Sequence, residues 1–385
     1  MSRVRIRIAY FTLYAALYGA FGVASPFWPE FLETRALSPS QIALIFGAAL
    51  LIRLISGPLV GALADLLSSS RAVLATCASL AAGAALSLLS AHTFWLLLIL
   101  MLVQAAALAP TTAIADALTV NRANPQNAGP AFEYGWVRGA GSAAFALGTL
   151  IMGQLISPGD LTPVIWMNVA LLLVAAGATA MLPTLATRSE PHIKTSLGII
   201  ELRSLLGIAR FRTLILVAAL VFGSHAMNDT FAVIRWSDAG IGASTISFLW
   251  SEAVAAEVIV FFLIGPMLLD HFGERRAATL AVTAAIVRWA VEGLTNSVFA
   301  LSILQPLHGL TFALLHLACM RMMGVSVPRN IAATAQSVYG LASGLVTAGV
   351  TLCSGVLYAR YGGAAFLPMA GLCAVALPFA WFGLR

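Results

Sequence analysis

The chain has 385 residues, 60% of them hydrophobic and only 9% charged, with a mean hydropathy of +0.94. Soluble domains carry roughly a quarter charged residues, so a soluble globular protein is excluded and the lipid bilayer is the expected solvent. The net charge of +6 and pI near 9.5 sit in loops on one side of that bilayer and require no nucleic-acid partner.

Apolar runs of about 20 residues cross a bilayer as helices. Gly, Pro and charge clusters divide the chain into twelve such runs, at 8–32, 40–64, 71–90, 94–120, 133–156, 162–184, 211–236, 244–268, 277–295, 297–322, 332–358 and 364–383. The predicted fold is an all-α membrane protein. The first run continues through Pro26, Trp28 and Pro29 instead of ending at a small-residue cleavage site, so it reads as a retained helix and not a signal peptide. An even number of spans puts both termini on one side, and Arg3, Arg5 and Arg7 place that side in the cytoplasm. Alternate loops agree, carrying Arg71, Arg122, Arg188, Lys194, Arg203, Arg210, Arg212, Arg275, Arg276, Arg321, Arg329 and Arg385. The opposite loops hold Arg35, Arg235 and Arg360. A cell inner-membrane location follows.

Residues 185–210 form the one long polar connection and divide the spans six and six: an N-terminal bundle at 1–184, a cytoplasmic linker, and a C-terminal bundle at 211–385. Each half carries traces of the other. Ile42 to Arg53 and Ile246 to Glu257 have equal spacing, and each precedes a Gly-Pro pair (Gly57-Pro58, Gly265-Pro266) and an Asp (Asp65, Asp270). Tyr134-Gly135 with Gly139 matches Tyr339-Gly340 with Gly344. Repeated halves mark secondary transporters, with a substrate site expected between them. Small faces such as Gly135, Gly139 and Gly141, or Gly340, Gly344 and Gly349, read as helix crossings.

Ionisable groups within spans are costly, and by default functional. Arg53 lies mid-helix, too far from either end to snorkel, and is expected to face water or a carboxylate. Asp116 and Arg138 flank a polar cytoplasmic loop, where Arg138 either reaches a site or anchors a helix end. His225 and Asp229, one turn apart beside Asn228, form a proton relay or cap each other. Glu252 and Glu257 are embedded acids able to take up a proton at one side and release it at the other; Glu257 alternatively holds a permanent salt bridge. Arg288 has Glu292 one turn later as a candidate partner. His308, with Gln305 close by, and His316 either bond to protons and partners or simply pack. Trp28, Tyr134, Trp136, Trp250 and Trp289 stack on an aromatic solute or anchor the interface. Cys77, Cys319, Cys353 and Cys373 lack metal or redox spacing. No P-loop is present, so ATP is not the expected energy source. No metal or cofactor is predicted.

Several motifs together resemble the major facilitator superfamily, and within it the phenylpropionate permease family, with lactose permeases and nucleoside:proton symporters as more distant likenesses. They are Phe27-Trp28-Pro29, Asp116-Ala117-Leu118, Phe132-Glu133-Tyr134-Gly135-Trp136-Val137-Arg138 with Gly141-Ser142, Leu249-Trp250-Ser251 with Ala256-Glu257-Val258, Val287-Arg288-Trp289, and Leu307-His308 with Thr311-Phe312 and His316-Leu317-Ala318. The resemblance implies two six-helix bundles and proton-coupled symport by alternating access. Its substrate would be a small aromatic carboxylate such as 3-phenylpropionate.

By motif, solute binding falls on Asp116 and Arg138 and proton coupling on Glu257, Arg288 and His308. Arg53, Arg288, Trp28 and Trp289 are further substrate-binding candidates, and His316 and Asp229 further coupling candidates. Where lactose permease has its proton-carrying acid, three residues after the His, this chain has Thr311, which leaves Glu257 as the best carrier. Asp65, Asp270, Arg275 and Arg276 are the expected cytoplasmic gate, although Ser68, Ser69 and Ser70 depart from the first loop's usual pattern. Competing readings are a nucleoside or sugar symporter, an exporter of a small aromatic compound, a channel, a transporter-like receptor, or an intramembrane enzyme. The last is disfavoured because no His-Glu-x-x-His motif and no activated Ser or Cys is present. A monomer is expected.

Overall fold

A computed structural model describes residues 3–123, 133–157, 159–183 and 199–384. Of the positions singled out above, Phe132, Arg188, Lys194, Arg385 and linker residues 185–198 lie outside these, as do the side chains of Arg3 and Arg122. The described residues form sixteen α-helices and no β-strand. They are α1 (Arg3–Ala24), α2 (Trp28–Thr34), α3 (Pro39–Leu66), α4 (Ser70–Ser87), α5 (Phe94–Leu108), α6 (Thr111–Ala123), α7 (Tyr134–Leu155) and α8 (Thr162–Ala180). After the linker come α9 (Ile199–Gly207), α10 (Ala209–Asp238), α11 (Ala243–Ile259), α12 (Gly265–Leu294), α13 (Val298–Leu304), α14 (Leu315–Ser326), α15 (Ala332–Tyr361) and α16 (Leu367–Pro378).

Among the described residues nine stretches are long and apolar enough to cross a membrane. Two of them, Ala243–Leu294 and Arg329–Gly383, run to 52 and 55 residues and each covers two predicted spans. With α7 on the remaining one, every predicted span falls on helix. Where a span is interrupted, proline is at the break: Pro26 between α1 and α2, Pro110 between α5 and α6, and Pro306 after α13. Its ring removes a donor and collides with the preceding turn. In α12 the break is Gly273, at φ 74° and ψ 165°, a conformation that side-chain-bearing residues avoid. Wider π-helical turns occupy Val260–Ile264, Gly309–Leu314 and Phe379–Gly383.

The chain divides into two compact units. The first comprises 1–37, 48–188 and 242–251, and the second 38–47, 189–241 and 252–385. In the first unit α1 packs against α7 and α8, and α4 against α8 and α5. Gly22 of α1 meets the backbone of Phe145 in α7 so closely that a Cβ would strike its carbonyl. Thr149 donates to the Gly22 carbonyl there at 2.7 Å. This is one helix crossing that requires glycine, and Gly141 against Tyr18 is another close approach; a Cβ at Gly135, Gly139, Gly340 or Gly349 would meet open space. A buried polar chain ties three helices together, since Gln104 donates to Asn168 (3.1 Å) and Asn168 to the Ala20 carbonyl (2.9 Å). In hydrocarbon such groups have no water to turn to, so pairing them fixes the helix arrangement.

In the second unit α10 packs on α15 and α16, and α12 on α16 and α14. Trp289 Nε1 of α12 donates to Ser224 of α10 at 2.7 Å. Arg235 of α10 is buried and gives its guanidinium to the carbonyls of Glu292 and Thr295 at the end of α12. A cation is favoured there because the last turn leaves carbonyls unpaired.

Candidate functional site

Two side-chain clusters, one in each unit, gather most of the embedded charges. In the first, α1, α3, α6 and α7 enclose a cavity of about 330 Å³ lined by Tyr18, Phe21, Ser25, Arg53, Thr112, Asp116, Arg138 and Phe145. Asp116 accepts a 2.5 Å hydrogen bond from Tyr14 and lies 3.7 Å from Arg138 Nη1. The Arg138 guanidinium stacks over Tyr18 at 4.7 Å, and Tyr18 stacks on Tyr14. These two charges therefore offset each other. Arg53 does not share in this: it is exposed to the cavity and makes no hydrogen bond or ion pair with any described residue. The Tyr18 hydroxyl is buried and also lacks a hydrogen-bond partner among them. The cavity thus combines a surplus positive charge, aromatic walls and the hydroxyls of Ser25 and Thr112.

The second cluster is a connected set of polar contacts. Arg288, 1% exposed, donates to His308 Nδ1 at 2.9 Å and to Gln305 at 3.3 Å, and its guanidinium covers the Trp289 ring at 4.5 Å. Arginine only donates, so Nδ1 accepts, and the proton of a neutral imidazole resides on Nε2. That nitrogen is 3.3 Å from Glu257 Oε2. Arg288, His308 and Glu257 are thereby linked in a chain whose direction is set by donor and acceptor type.

Around it, His225 Nδ1 donates to the Val221 carbonyl (2.9 Å), which makes its Nε2 the acceptor for Thr311 Oγ1 at 3.0 Å. Its ring meets Trp289 and His308 edge-on. Phe312 stacks on His308. His225 and Asp229 do not cap each other; Asp229 is exposed and accepts from Asn228. Glu252 accepts from Ser302 at 2.7 Å. His316 bonds Tyr339 at 3.2 Å, apart from His308. Glu292 does not pair with Arg288: it is fully buried, and neither carboxyl oxygen has a hydrogen-bond partner among the described residues.

Trp28 and Trp289 are both buried, the first edge-on to Phe31 and the second between His225, Arg288 and Ser224. Of the gate candidates, Asp270 is bound by Arg321 at 2.6 Å, and Arg321 also reaches Glu274 at 3.1 Å. Arg275 stacks on Trp381 at 4.9 Å. Asp65 and Arg276 are exposed. Sequence reasoning missed Tyr14, Tyr18 and the contact of Arg321 with Asp270. A signal for the tyrosines existed, since positions 10, 14 and 18 form a one-turn Tyr stripe on α1.

Comparison with known proteins places this geometry in context. A model of the MFS_1 like family matches residues 4–368. The chain is 32% identical over 386 residues to a probable 3-phenylpropionic acid transporter of Escherichia coli (strain K12), covering 97% of this chain and 95% of that one. Among solved structures, the nucleoside transporter NupG has a TM-score of 0.86 at 17% identity, covering 97% of this chain and 98% of the other. A D-xylose-proton symporter has a TM-score of 0.70 at 15% identity, with 100% and 98% covered.

Proposed function

From the premise that this chain belongs to the MFS_1 like family, and so is a multi-pass major facilitator transporter and not an enzyme, we propose proton-coupled symport of a small aromatic carboxylate of the 3-phenylpropionate type. The observation that carries the substrate is Arg53, an uncommitted guanidinium facing a cavity walled by Tyr18, Phe21 and Phe145. A guanidinium binds a carboxylate through two parallel charge-assisted bonds, and the rings match a phenyl group. Asp116 and Arg138 hold the cavity's shape while cancelling each other's charge.

Coupling is assigned to Glu257, with His308 conveying its protonation state to Arg288. The gradient then drives uptake by alternating access, each charge contributing roughly 2.3 kcal/mol per 100 mV of membrane potential. Asp270 with Arg321, Arg275 and Arg276, and Asp65 in the other loop, form the cytoplasmic gate. The proposed site is the cell inner membrane, with cytoplasmic termini and a monomeric transporter.

A second reading, a nucleoside or sugar as solute, is supported by the fold's likeness to NupG and the xylose symporter and by the hydroxyls of Ser25, Thr112 and Tyr18 around the cavity. Proteoliposomes given an inward proton gradient separate the two. Accumulation of labelled 3-phenylpropionate, blocked by a protonophore and insensitive to excess uridine or xylose, is the expected outcome. Uridine or xylose uptake in its place would transfer the assignment to the second reading.

A further inference from the structure

Glu292 is buried to 0% exposure, and neither carboxyl oxygen has a hydrogen-bond partner among the described residues. Such a group is costly to bury, and an arrangement that satisfied it would compete with the present one. Its candidate partners are few. Arg288, Arg235 and Asp229 are the charged groups near it. Arg235 is already committed to the carbonyls of Glu292 and Thr295. Asp229 is an acid. Arg288 is one helical turn away on the same face, at the spacing where side chains meet, and its Nε has no hydrogen-bond partner among the described residues.

We propose that Glu292 is a positioning residue for Arg288, the second resting place of a guanidinium that now lies on His308. The proposal rests on the reading that His308 takes part in proton movement. A neutral His308 accepts from Arg288 at Nδ1 and faces Glu257 through Nε2. When a proton is added, it goes to Nδ1, the only ring nitrogen without one. Nδ1 then becomes a donor and can no longer accept from Arg288. Two cations now face each other, with His225, held by Val221 and Thr311, offering no negative charge. The imidazolium keeps Glu257 on its other nitrogen. The guanidinium leaves for Glu292 and pairs the orphaned carboxylate, while the imidazolium stays on Glu257.

The motion has a local reporter, because Arg288 covers the Trp289 ring. The pH dependence of tryptophan emission of the purified protein, minus that of a Trp289→Phe variant, gives the Trp289 component. This component is expected to titrate in the wild type, to be lost in Glu292→Gln, and to persist in Glu292→Asp. His308→Phe, lacking the first resting place, is expected to hold the wild type's acid-side emission at every pH. In proteoliposomes Glu292→Gln should lose accumulation and keep counterflow. A Trp289 component that does not titrate in the wild type, or that titrates unchanged in Glu292→Gln or His308→Phe, overturns the proposal. Failure of every aromatic acid to be taken up would defeat the symport reading instead, since the emission measurement needs no solute.

Discussion

Arg53 in the first unit and Arg288 in the second carry the same guanidinium into the membrane with opposite surroundings. Arg288 is sealed in, its Nη groups on His308 and Gln305 and its plane on Trp289. Arg53 lines a cavity and makes no hydrogen bond or ion pair among the described residues. An embedded cation is tolerated when it pairs or stays wet, and these are the two solutions. A cation satisfied by its own protein responds to changes in those partners, such as protonation. A cation left open responds to a solute. Under the proposed function this difference gives coupling to one unit and solute charge to the other.

The sharpest way to break that division is at the coupling end. Glu257→Gln removes the proton carrier and is expected to abolish accumulation against a gradient while leaving solute exchange intact, measured in the same proteoliposomes. Persistent accumulation would mean the sealed cluster does not couple. Next in size is Arg53→Ala. Hydrogen bonds to charged groups contribute about 1.5–3 kcal/mol, so the apparent KM for the carboxylate should rise roughly 10- to 100-fold, with Arg53→Lys between the two. An unchanged KM in counterflow would remove Arg53 from the binding site.

Asp116→Asn is expected to act less strongly, because its pair with Arg138 is 3.7 Å apart and about one-third exposed. It frees Arg138 and should strengthen competition by simple aromatic carboxylates; weaker competition would contradict the idea that Asp116 only balances charge. The smallest effect belongs to Asp270→Asn at the exposed Arg321 contact. Surface ion pairs contribute little to stability, so the unfolding temperature should hardly move while the transport rate changes. A large drop in that temperature would make the contact structural.

How much of this was legible in the sequence follows from what hydropathy encodes. Twelve apolar runs identified the spans, because length and polarity alone decide insertion. The charges inside them identified Arg53, Asp116, Arg138, Glu257, Arg288 and His308 as embedded. What the pattern does not encode is aim. Glu292 stands one turn from Arg288 and reads as its partner, yet the guanidinium points across to His308. His225 and Asp229 share a helix face by spacing but bond to Val221 and Asn228 respectively. Rotamer choice and the angle of neighbouring helices settle such pairs, and neither is written in one helix's periodicity. The break within 94–120 falls at Pro110, inside a run whose apolar residues continue on both sides and so read as one span.

The π-helical turn at Gly309–Leu314, immediately after His308, holds one residue more than an α-turn would. That extra residue is absorbed locally, so the helix on either side keeps its register. Deleting one position inside the turn would relax it into ordinary helix with His308 still facing Arg288, whereas the same deletion in a regular turn of the span would swing the imidazole through about 100°. The widened turn is slack, a place where chain length can change without turning the cluster.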